Sequence, residues 1–497
     1  MVRKTFKLTN RIVDINIFDT AFHEEDNCFF FGHPLDYIKN SDYNTIKGPW
    51  LKITIKKDEV VVVTDIIGTY RLYYLSAENF IYISDNYSFL LGKISEIKIN
   101  KIEYEYWKKH DYTTGGKTLF VGVNKFKPAT ENIIKDNSFE ENLYFKNLPR
   151  EYNSIRHTEM VFTDLDHTFD LIKKTNTKVV LMFSGGKDSC LLALFLKKQD
   201  IDFVSVFLKL EPTFTQAYLD YQKVLQVSEA LGIKTDIITV KVNSFSKDES
   251  NKIHQVQLLD KHFTAIHYRG AEEIKKAYGS DILILNGSTS DSIFTFGPSE
   301  NSKISYLRRN IMFNSKSLIS KIAVQFLNLK ARRHFRLGKN EDELLLALMD
   351  EYKYCRVLDK EKDEDYYDYL LKQLSFAKKV LTTFNSMEMY TKTYTFLQGS
   401  TQQVIHNSCR FHKLKYIMPF ASPGVIYATM KYRNDKLEIT QPKYCVERIL
   451  KEKFNFDYNN IKLDYNNQTF SYNLDELRKN VNEEFEKCLS ASISKTN

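Results

Sequence analysis

Val179-Val180-Leu181-Met182-Phe183-Ser184-Gly185-Gly186-Lys187-Asp188-Ser189-Cys190-Leu191-Leu192-Ala193-Leu194-Phe195-Leu196 runs from an apolar stretch through a glycine turn into a helix-like stretch. A buried strand, a tight turn and a helix N-terminus in that order make a cradle for an anion. Glycines let the backbone approach a phosphate, and the unpaired N–H groups of the first helical turn donate to its oxygens. The alternative is a Gly-Gly turn that merely starts a helix.

Outward from that stretch the same rhythm repeats. Apolar runs at Phe203–Leu208, Asp236–Val240 and Ile282–Leu285 alternate with helical patterns over 190–198, 217–231 and 262–278. Repeated βα units predict a parallel, doubly wound sheet that holds its ligand at the C-terminal ends of its strands. Residues 341 to 450 read as mainly helical. Upstream, Leu51 to Ile55 and Ile81 to Ser84 alternate in hydropathy and Val60 to Val63 is a continuous apolar run, so residues 1 to about 150 read as stacked antiparallel strands.

A chain of 497 residues exceeds what one core normally serves, so two domains are expected, at 1–150 and 160–490, with 491–497 a disordered tail. The 31 Tyr and 35 Phe against 17 Gly and 9 Pro fit core packing better than a stacking platform for bases. The start of the chain lacks the apolar core of a signal peptide and no run is long enough to span a bilayer, so the expected location is the cytoplasm, with no membrane partner. Cys28, Cys190, Cys355, Cys409, Cys445 and Cys488 form no Cys-x-x-Cys pair, which argues against a zinc ribbon or disulfide framework and for buried thiols. His254, His262, His267, His406 and His412 likewise show no zinc spacing.

The net charge of +8 is unevenly spread: residues 301 to 340 hold ten Lys or Arg and no Asp or Glu. That stretch reads either as a solvated basic face or as a surface for an acidic peptide or other polyanion.

Ser184-Gly185-Gly186-Lys187-Asp188-Ser189 lacks the spacings of a Walker loop and of a dinucleotide fingerprint, and resembles the PP-loop, Ser-Gly-Gly-x-Asp-Ser, of ATP pyrophosphatases. Upstream, Gly48-Pro49-Trp50-Leu51, Asp65-Ile66-Ile67-Gly68-Thr69-Tyr70-Arg71-Leu72-Tyr73-Tyr74, Tyr82-Ile83-Ser84-Asp85 and Thr118-Leu119-Phe120-Val121-Gly122-Val123 with Lys127-Pro128 resemble, in order, the signature segments of the asparagine synthetase glutaminase domain. The resemblance implies an asparagine synthetase B-like, α/β protein. Its N-terminal αββα domain would be of the N-terminal-nucleophile type, and its C-terminal doubly wound PP-loop domain would end in a helical part. A working glutaminase of this kind exposes an N-terminal Cys whose α-amino group helps activate the thiol. Val2 stands at that position, so the first domain is expected to be inactive toward glutamine. Family members without that cysteine are the β-lactam and carbapenam synthetases and the lasso-peptide cyclases.

The chemistry so implied is adenylation of a carboxylate by ATP with Mg²⁺, then attack by an amine. Asp188, and Asp291 in Asn286-Gly287-Ser288-Thr289-Ser290-Asp291, are the expected magnesium carboxylates. Phe183, Ser184, Gly185, Gly186, Lys187, Ser189 and Gly287 are the expected nucleotide contacts, with Lys187 either a contact or a solvent-facing turn lysine. Pro442-Lys443-Tyr444-Cys445-Val446-Glu447-Arg448-Ile449-Leu450 resembles the family helix that precedes its catalytic lysine, which points to Lys462. Lys443 and Arg448 themselves read as exposed helix charges. Met418-Pro419-Phe420-Ala421-Ser422 resembles a scaffold segment near the substrate pocket. Ser288 and Thr289 depart from the family loop, and no acid lies between Glu300 and Glu341, which disfavours β-lactam closure through a Tyr-Glu pair.

The leading expectation is macrolactam formation in a peptide, of the lasso-peptide-cyclase type, beside a leader peptidase or precursor-binding partner. The alternatives are a β-lactam synthetase-like or other small-molecule amide synthetase, a tRNA-modifying PP-loop enzyme, and a nucleotide-binding scaffold without turnover. Nucleic acid is the less expected partner.

Overall fold

A computed structural model describes residues 2–19, 23–25, 27–36, 42–110, 113, 116–151, 153–242, 246, 248–249, 263–294, 322, 364–394, 401–432 and 443–465. The basic stretch 301–340 lies outside these residues apart from Ile322. His254, His262, Cys355, Cys488, Pro442 and the 491–497 tail also lie outside them.

The first part is two stacked sheets. Strands β1 (Val2–Lys7), β2 (Ile12–Ile17), β7 (Tyr73–Ala77), β8 (Phe80–Ser84) and β9 (Val123–Lys125) form one, in the order β1-β2-β8-β7-β9. Strands β3 (His23–Glu25), β4 (Cys28–Gly32), β5 (Trp50–Ile55), β6 (Val60–Thr64), β10 (Thr130–Ile134) and β11 (Phe139–Leu143) form the other, antiparallel throughout, in the order β11-β10-β6-β5-β4-β3. Alternation brings Val13, Ile15, Ile17, Ile81 and Ile83 of the first sheet against Phe29, Phe31, Leu51, Ile53, Val60 and Val62 of the second. Helices α1 (Tyr87–Leu91) and α2 (Lys101–His110) pack through Leu90, Leu91 and Trp107 on Tyr73 and Leu75 of the first sheet.

The αββα expectation places a helix layer outside the second sheet as well. Among the described residues that face is covered by Ile46, Tyr43 and Tyr144 over Trp50, Val61 and Val63, and a helix from much later in the chain reaches β11. The cover is borrowed from the second part, a long-range arrangement that no local pattern encodes.

The second part begins with α3 (Ser154–Lys174), capped by the Asn153 side chain on the Arg156 N–H. It continues through β12 (Lys178–Met182), α4 (Lys187–Lys198), β13 (Phe203–Glu211), α5 (Thr215–Leu231), β14 (Thr235–Lys241), α6 (Phe263–Tyr278), β15 (Ile282–Leu285) and α7 (Ser290–Phe294). Helices α8 (Glu364–Lys378), α9 (Phe384–Lys392) and α10 (Thr401–Phe411), strand β16 (Lys415–Ile417), α11 (Pro423–Tyr432) and α12 (Tyr444–Phe454) complete it. The borrowed cover of β11 is α8.

All neighbouring strands of this sheet run parallel, in the order β14-β13-β12-β15-β16. Counted from β12 that is 3-2-1-4-5, so the chain reverses direction across the sheet between β12 and β15. The helices sort by contact into α3, α4 and α12 on the one hand and α6 and α10 on the other. Right-handed crossovers put the connections made before and after the reversal on opposite faces. The crevice that opens at the reversal, beyond the carboxyl ends of β12 and β15, is where such sheets bind ligands.

The two parts share one core. Ile66, Ile67, Ala129 and Phe145 from the first are buried in the same cluster as Val179, Leu181, Tyr390 and Ile426 from the second. Polar contacts cross the same boundary: Lys47 Nζ lies 2.5 Å from Asp164, and Arg410 Nη1 3.4 Å from Asp85. Asp65, fully buried, holds the turn that presents Ile66 and Ile67. Its carboxyl accepts N–H groups of Ile67 and Thr69 at 3.0 Å and of Tyr70 at 3.3 Å. Burial outweighs those hydrogen bonds and pushes its pKa up to about 6.

Candidate functional site

The turn after β12 is built by its glycines. Gly185 has φ +65°, and a Cβ there would lie 3.2 Å from Val224 Cα and 3.3 Å from Val224 N, so the loop passes against the backbone of α5 where only glycine fits without strain. Gly186 is the N-cap of α4 and supplies no capping side chain, which leaves the first-turn N–H groups to an incoming anion. Ser184 and Ser189 close the loop on itself. Their hydroxyls lie 3.3 Å apart, and Ser189 Oγ donates to Gly186 O at 3.0 Å. Phe183 is buried in the core and donates its N–H to Val206 O at 2.8 Å, so only its backbone borders the loop.

The loop after β15 lies directly against this turn. A Cβ on Gly287 would stand 3.0 Å from Asp188 Cβ and 3.5 Å from Ser189 N, a close approach that excludes larger residues. Asn286 Oδ1 accepts the Ser288 N–H at 2.6 Å and shapes the turn. Ser290 Oγ donates to Asp188 Oδ1 at 2.6 Å, stitching α7 to α4.

Asp188 and Asp291 converge on one cationic atom. Lys443 Nζ donates to Asp188 Oδ2 and lies 2.6 Å from Asp291 Oδ1. Burial pulls the Lys443 ammonium down, but the two carboxylates outweigh it and hold its pKa above the ordinary range. Burial, with Asp291 adding to it, pushes the Asp188 carboxyl up against the opposing pull of Lys443 and Ser290. Asp291 is largely exposed, at 65%, and so open to a ligand from solvent.

Lys443 is not the exposed helix charge expected from its sequence. It is the N-cap of α12, sits in the left-handed region at φ 62°, ψ 25°, and its side chain is only 22% exposed. Lys187 is not a solvent-facing turn lysine either. It pairs with Glu447 one turn along α12, and its Nζ lies 5.6 Å from the Tyr458 ring centroid. Tyr458 Oη in turn donates to Gly185 O at 2.7 Å. Arg448 is no exposed charge either: its side chain is 16% exposed and pairs with Glu452 at i,i+4.

Lys462 is exposed, on the segment between Tyr458 and Asp464, whose backbone exchanges hydrogen bonds with Gln226 of α5. That segment borders the phosphate turn, yet Lys443 rather than Lys462 reaches the carboxylates. Residue spacing alone could not tell which lysine folds inward.

Other expectations concern supporting parts. Met418, Pro419 and Phe420 are buried, and Ser422 Oγ donates to Asp164 of α3, so this segment is scaffold. Cys190 and Cys409 are buried and burial pushes both thiols far above their ordinary pKa. Burial pushes His267 down to about 4 and lowers His406 and His412, which fits packed, neutral imidazoles. Among the described residues no group of three or more His, Cys, Asp or Glu side chains is placed to hold a metal by itself, and no helix is long and apolar enough to cross a membrane. Two carboxylates converging on one cation, beside an uncapped helix N-terminus, nevertheless fit magnesium, which is held by one or two carboxylates together with phosphate oxygens.

No protein-family model matches the chain. A 66-residue segment is 39% identical to the tRNA-specific 2-thiouridylase MnmA of Shouchella clausii, covering 12% of this chain and 18% of that protein. The chain thus aligns with less than a fifth of that relative's length. Among solved structures, it is similar at 10% identity to glutamine phosphoribosylpyrophosphate amidotransferase from B. subtilis complexed with ADP and GMP, over 48% of each chain with a TM-score of 0.13. A structure of the allosteric regulatory enzyme of purine biosynthesis is similar at 10% identity over 52% of this chain and 44% of its own, with a TM-score of 0.14.

Proposed function

We propose that this protein is an ATP-dependent, AMP-forming amide ligase. In this reading it adenylates a substrate carboxylate at the crevice between β12 and β15 and joins it to an amine, with macrolactam formation in a peptide, in the manner of lasso-peptide cyclases, as its specific form. The observation that carries the reading is the convergence of the phosphate turn 184–189 and the Gly287–Asp291 loop at the reversal of a 3-2-1-4-5 parallel sheet, with Asp188 and Asp291 aimed at one cation.

The residues divide the work as follows. Gly185 and Gly186 let the backbone reach the β- and γ-phosphates, and the first-turn N–H groups of α4 with Ser184 and Ser189 donate to them. Asp188 and Asp291 would hold Mg²⁺, which supplies charge neutralisation to the departing pyrophosphate. The substrate carboxylate oxygen bonds to the α-phosphorus as the bond to pyrophosphate breaks. The amine nitrogen then bonds to the acyl carbon, AMP leaves with the former carboxylate oxygen, and one proton is released. Lys443 keeps a positive charge beside the phosphates throughout.

A second reading is a tRNA-modifying PP-loop enzyme, favoured by the segment similar to a thiouridylase. Its sulfur-transfer form needs a reactive thiol near the turn. Cys190 is buried with its pKa raised, which makes it a poor thiolate.

The test is ATP–pyrophosphate exchange and AMP release with Mg²⁺, across peptides, small carboxylic acids and tRNA, with glutamine and ammonia as alternative amine donors. Peptide-dependent AMP release and a product lighter by one water are expected, and Asp291→Ala should abolish exchange without altering the circular dichroism. AMP release that depends on tRNA alone, or exchange unchanged in Asp291→Ala, would overturn the assignment.

A further inference from the structure

The segment from Lys443 to Tyr458 is fastened to the phosphate turn at three points: Lys443 on Asp188, Glu447 on Lys187, and Tyr458 on the Gly185 carbonyl. The first two cross, so that neighbouring residues of α4 bind residues one helical turn apart on α12. The fastening is held under some backbone strain, because Lys443 is a non-glycine residue in the left-handed region, a conformation that persists where the surroundings enforce it. Its ammonium also contacts Asp291, so it fills the point where the two carboxylates meet.

A cation placed there has consequences for a second one. Bare metal entering between Asp188 and Asp291 must expel an ammonium from both carboxylates and leave it partly buried without a counter-ion. A metal arriving with a triphosphate brings new anionic oxygens within reach of the same four-carbon stem, so the ammonium changes partner rather than losing one.

We propose, on the basis of the ligase reading above, that the 443–458 segment is a latch. Lys443 stands at the position where the two carboxylates would hold metal, excludes metal alone, and is displaced only by metal and nucleotide together. Metal and nucleotide then bind with positive coupling, and each raises the affinity of the other by the same factor.

The full chain tests this with Mn²⁺ as the probe, its free concentration read by electron paramagnetic resonance, so that no turnover is involved. Mn²⁺ alone should bind wild type weakly and Lys443→Met at least tenfold more tightly. A non-hydrolysable ATP analogue should raise the wild-type affinity for Mn²⁺ by tenfold or more and that of Lys443→Met by less. Equal Mn²⁺ affinity of the two proteins without nucleotide overturns the latch. A wild type that binds no Mg²⁺–nucleotide by calorimetry overturns the ligase reading and the latch with it, whereas nucleotide binding without a gain in Lys443→Met overturns the latch alone. Should that variant not fold, hydrogen exchange on wild type decides: the amides of 443–447 should change exchange rate with Mg²⁺ and nucleotide together but not with Mg²⁺ alone, and no change refutes the proposal.

Discussion

Gly185→Ala separates the phosphate turn from the rest of the fold. Alanine at φ +65° incurs the left-handed penalty, about 1–2 kcal/mol. Its methyl would also sit 3.2 Å from Val224 Cα, a backbone contact in α5 that cannot swing away as a side chain would. Together these set a cost of roughly 1–3 kcal/mol on the bound conformation of the turn. If the turn responds by leaving that conformation, nucleotide affinity falls by about 5- to 150-fold, at 1.4 kcal/mol per tenfold.

The assay is calorimetric titration of the full chain with Mg²⁺ and a non-hydrolysable ATP analogue. Gly279→Ala is the control. Gly279 has φ +84° with nothing within 4 Å of the added methyl, and it precedes the N-terminal end of β15, away from the crevice. It meets the same conformational penalty without the contact, so it should lower the melting temperature while leaving nucleotide affinity unchanged. Gly185→Ala binding within twofold of wild type, or Gly279→Ala weakening binding equally, would refute the assignment of the turn as the phosphate site.

Two further outcomes follow from buried charge at the junction. The Asp65 carboxyl is raised from an ordinary 3.8 to about 6 by burial, so the folded state binds this proton more tightly than the unfolded state does. Its contribution to stability is therefore greatest below pH 4 and declines by roughly 3 kcal/mol as pH rises through 6. Melting temperatures of wild type minus Asp65→Asn, at half-unit steps from pH 4 to 7, should fall with pH, and a flat or rising difference would show that the backbone N–H groups keep the carboxylate charged. Arg410→Met strands Asp85, which is 4% exposed, and should cost about 3–5 kcal/mol in denaturant unfolding, with Arg410→Met/Asp85→Leu recovering part of it. A double variant no more stable than the single one would mean that Asp85 does not depend on Arg410.

Much of the architecture is legible locally. The apolar run 179–183, the two glycines and the leucine-rich stretch after them place β12, the turn and α4. Helix α4 starts at Lys187 rather than at residue 190, because the turn runs straight into its first turn. Strand β15 falls on the apolar run Ile282–Leu285, whereas β16 is only three residues long and too short to announce itself by periodicity. Asp188 and Asp291 are expected from the resemblance of their two loops to family loops, and the fold sets those loops against each other. Lys443 reads as an exposed charge because a lysine on an amphipathic helix is ordinarily solvated, and nothing nearby in sequence shows that two carboxylates lie against it.

The residue order alone thus determined the pieces that neighbours in sequence can specify: alternating strands, βα units, and a glycine turn that only a residue without a side chain can make. Tertiary structure decided what those pieces meet. The 3-2-1-4-5 strand order brings Asp188 and Asp291 to one crevice, and α12 delivers Lys443 across 255 residues of chain to stand between them. Local hydrogen bonding and hydrophobic periodicity act over a few residues. A charge is stabilised by whatever lies within a few ångströms of it, however distant along the chain, so its role is settled only when the chain has folded.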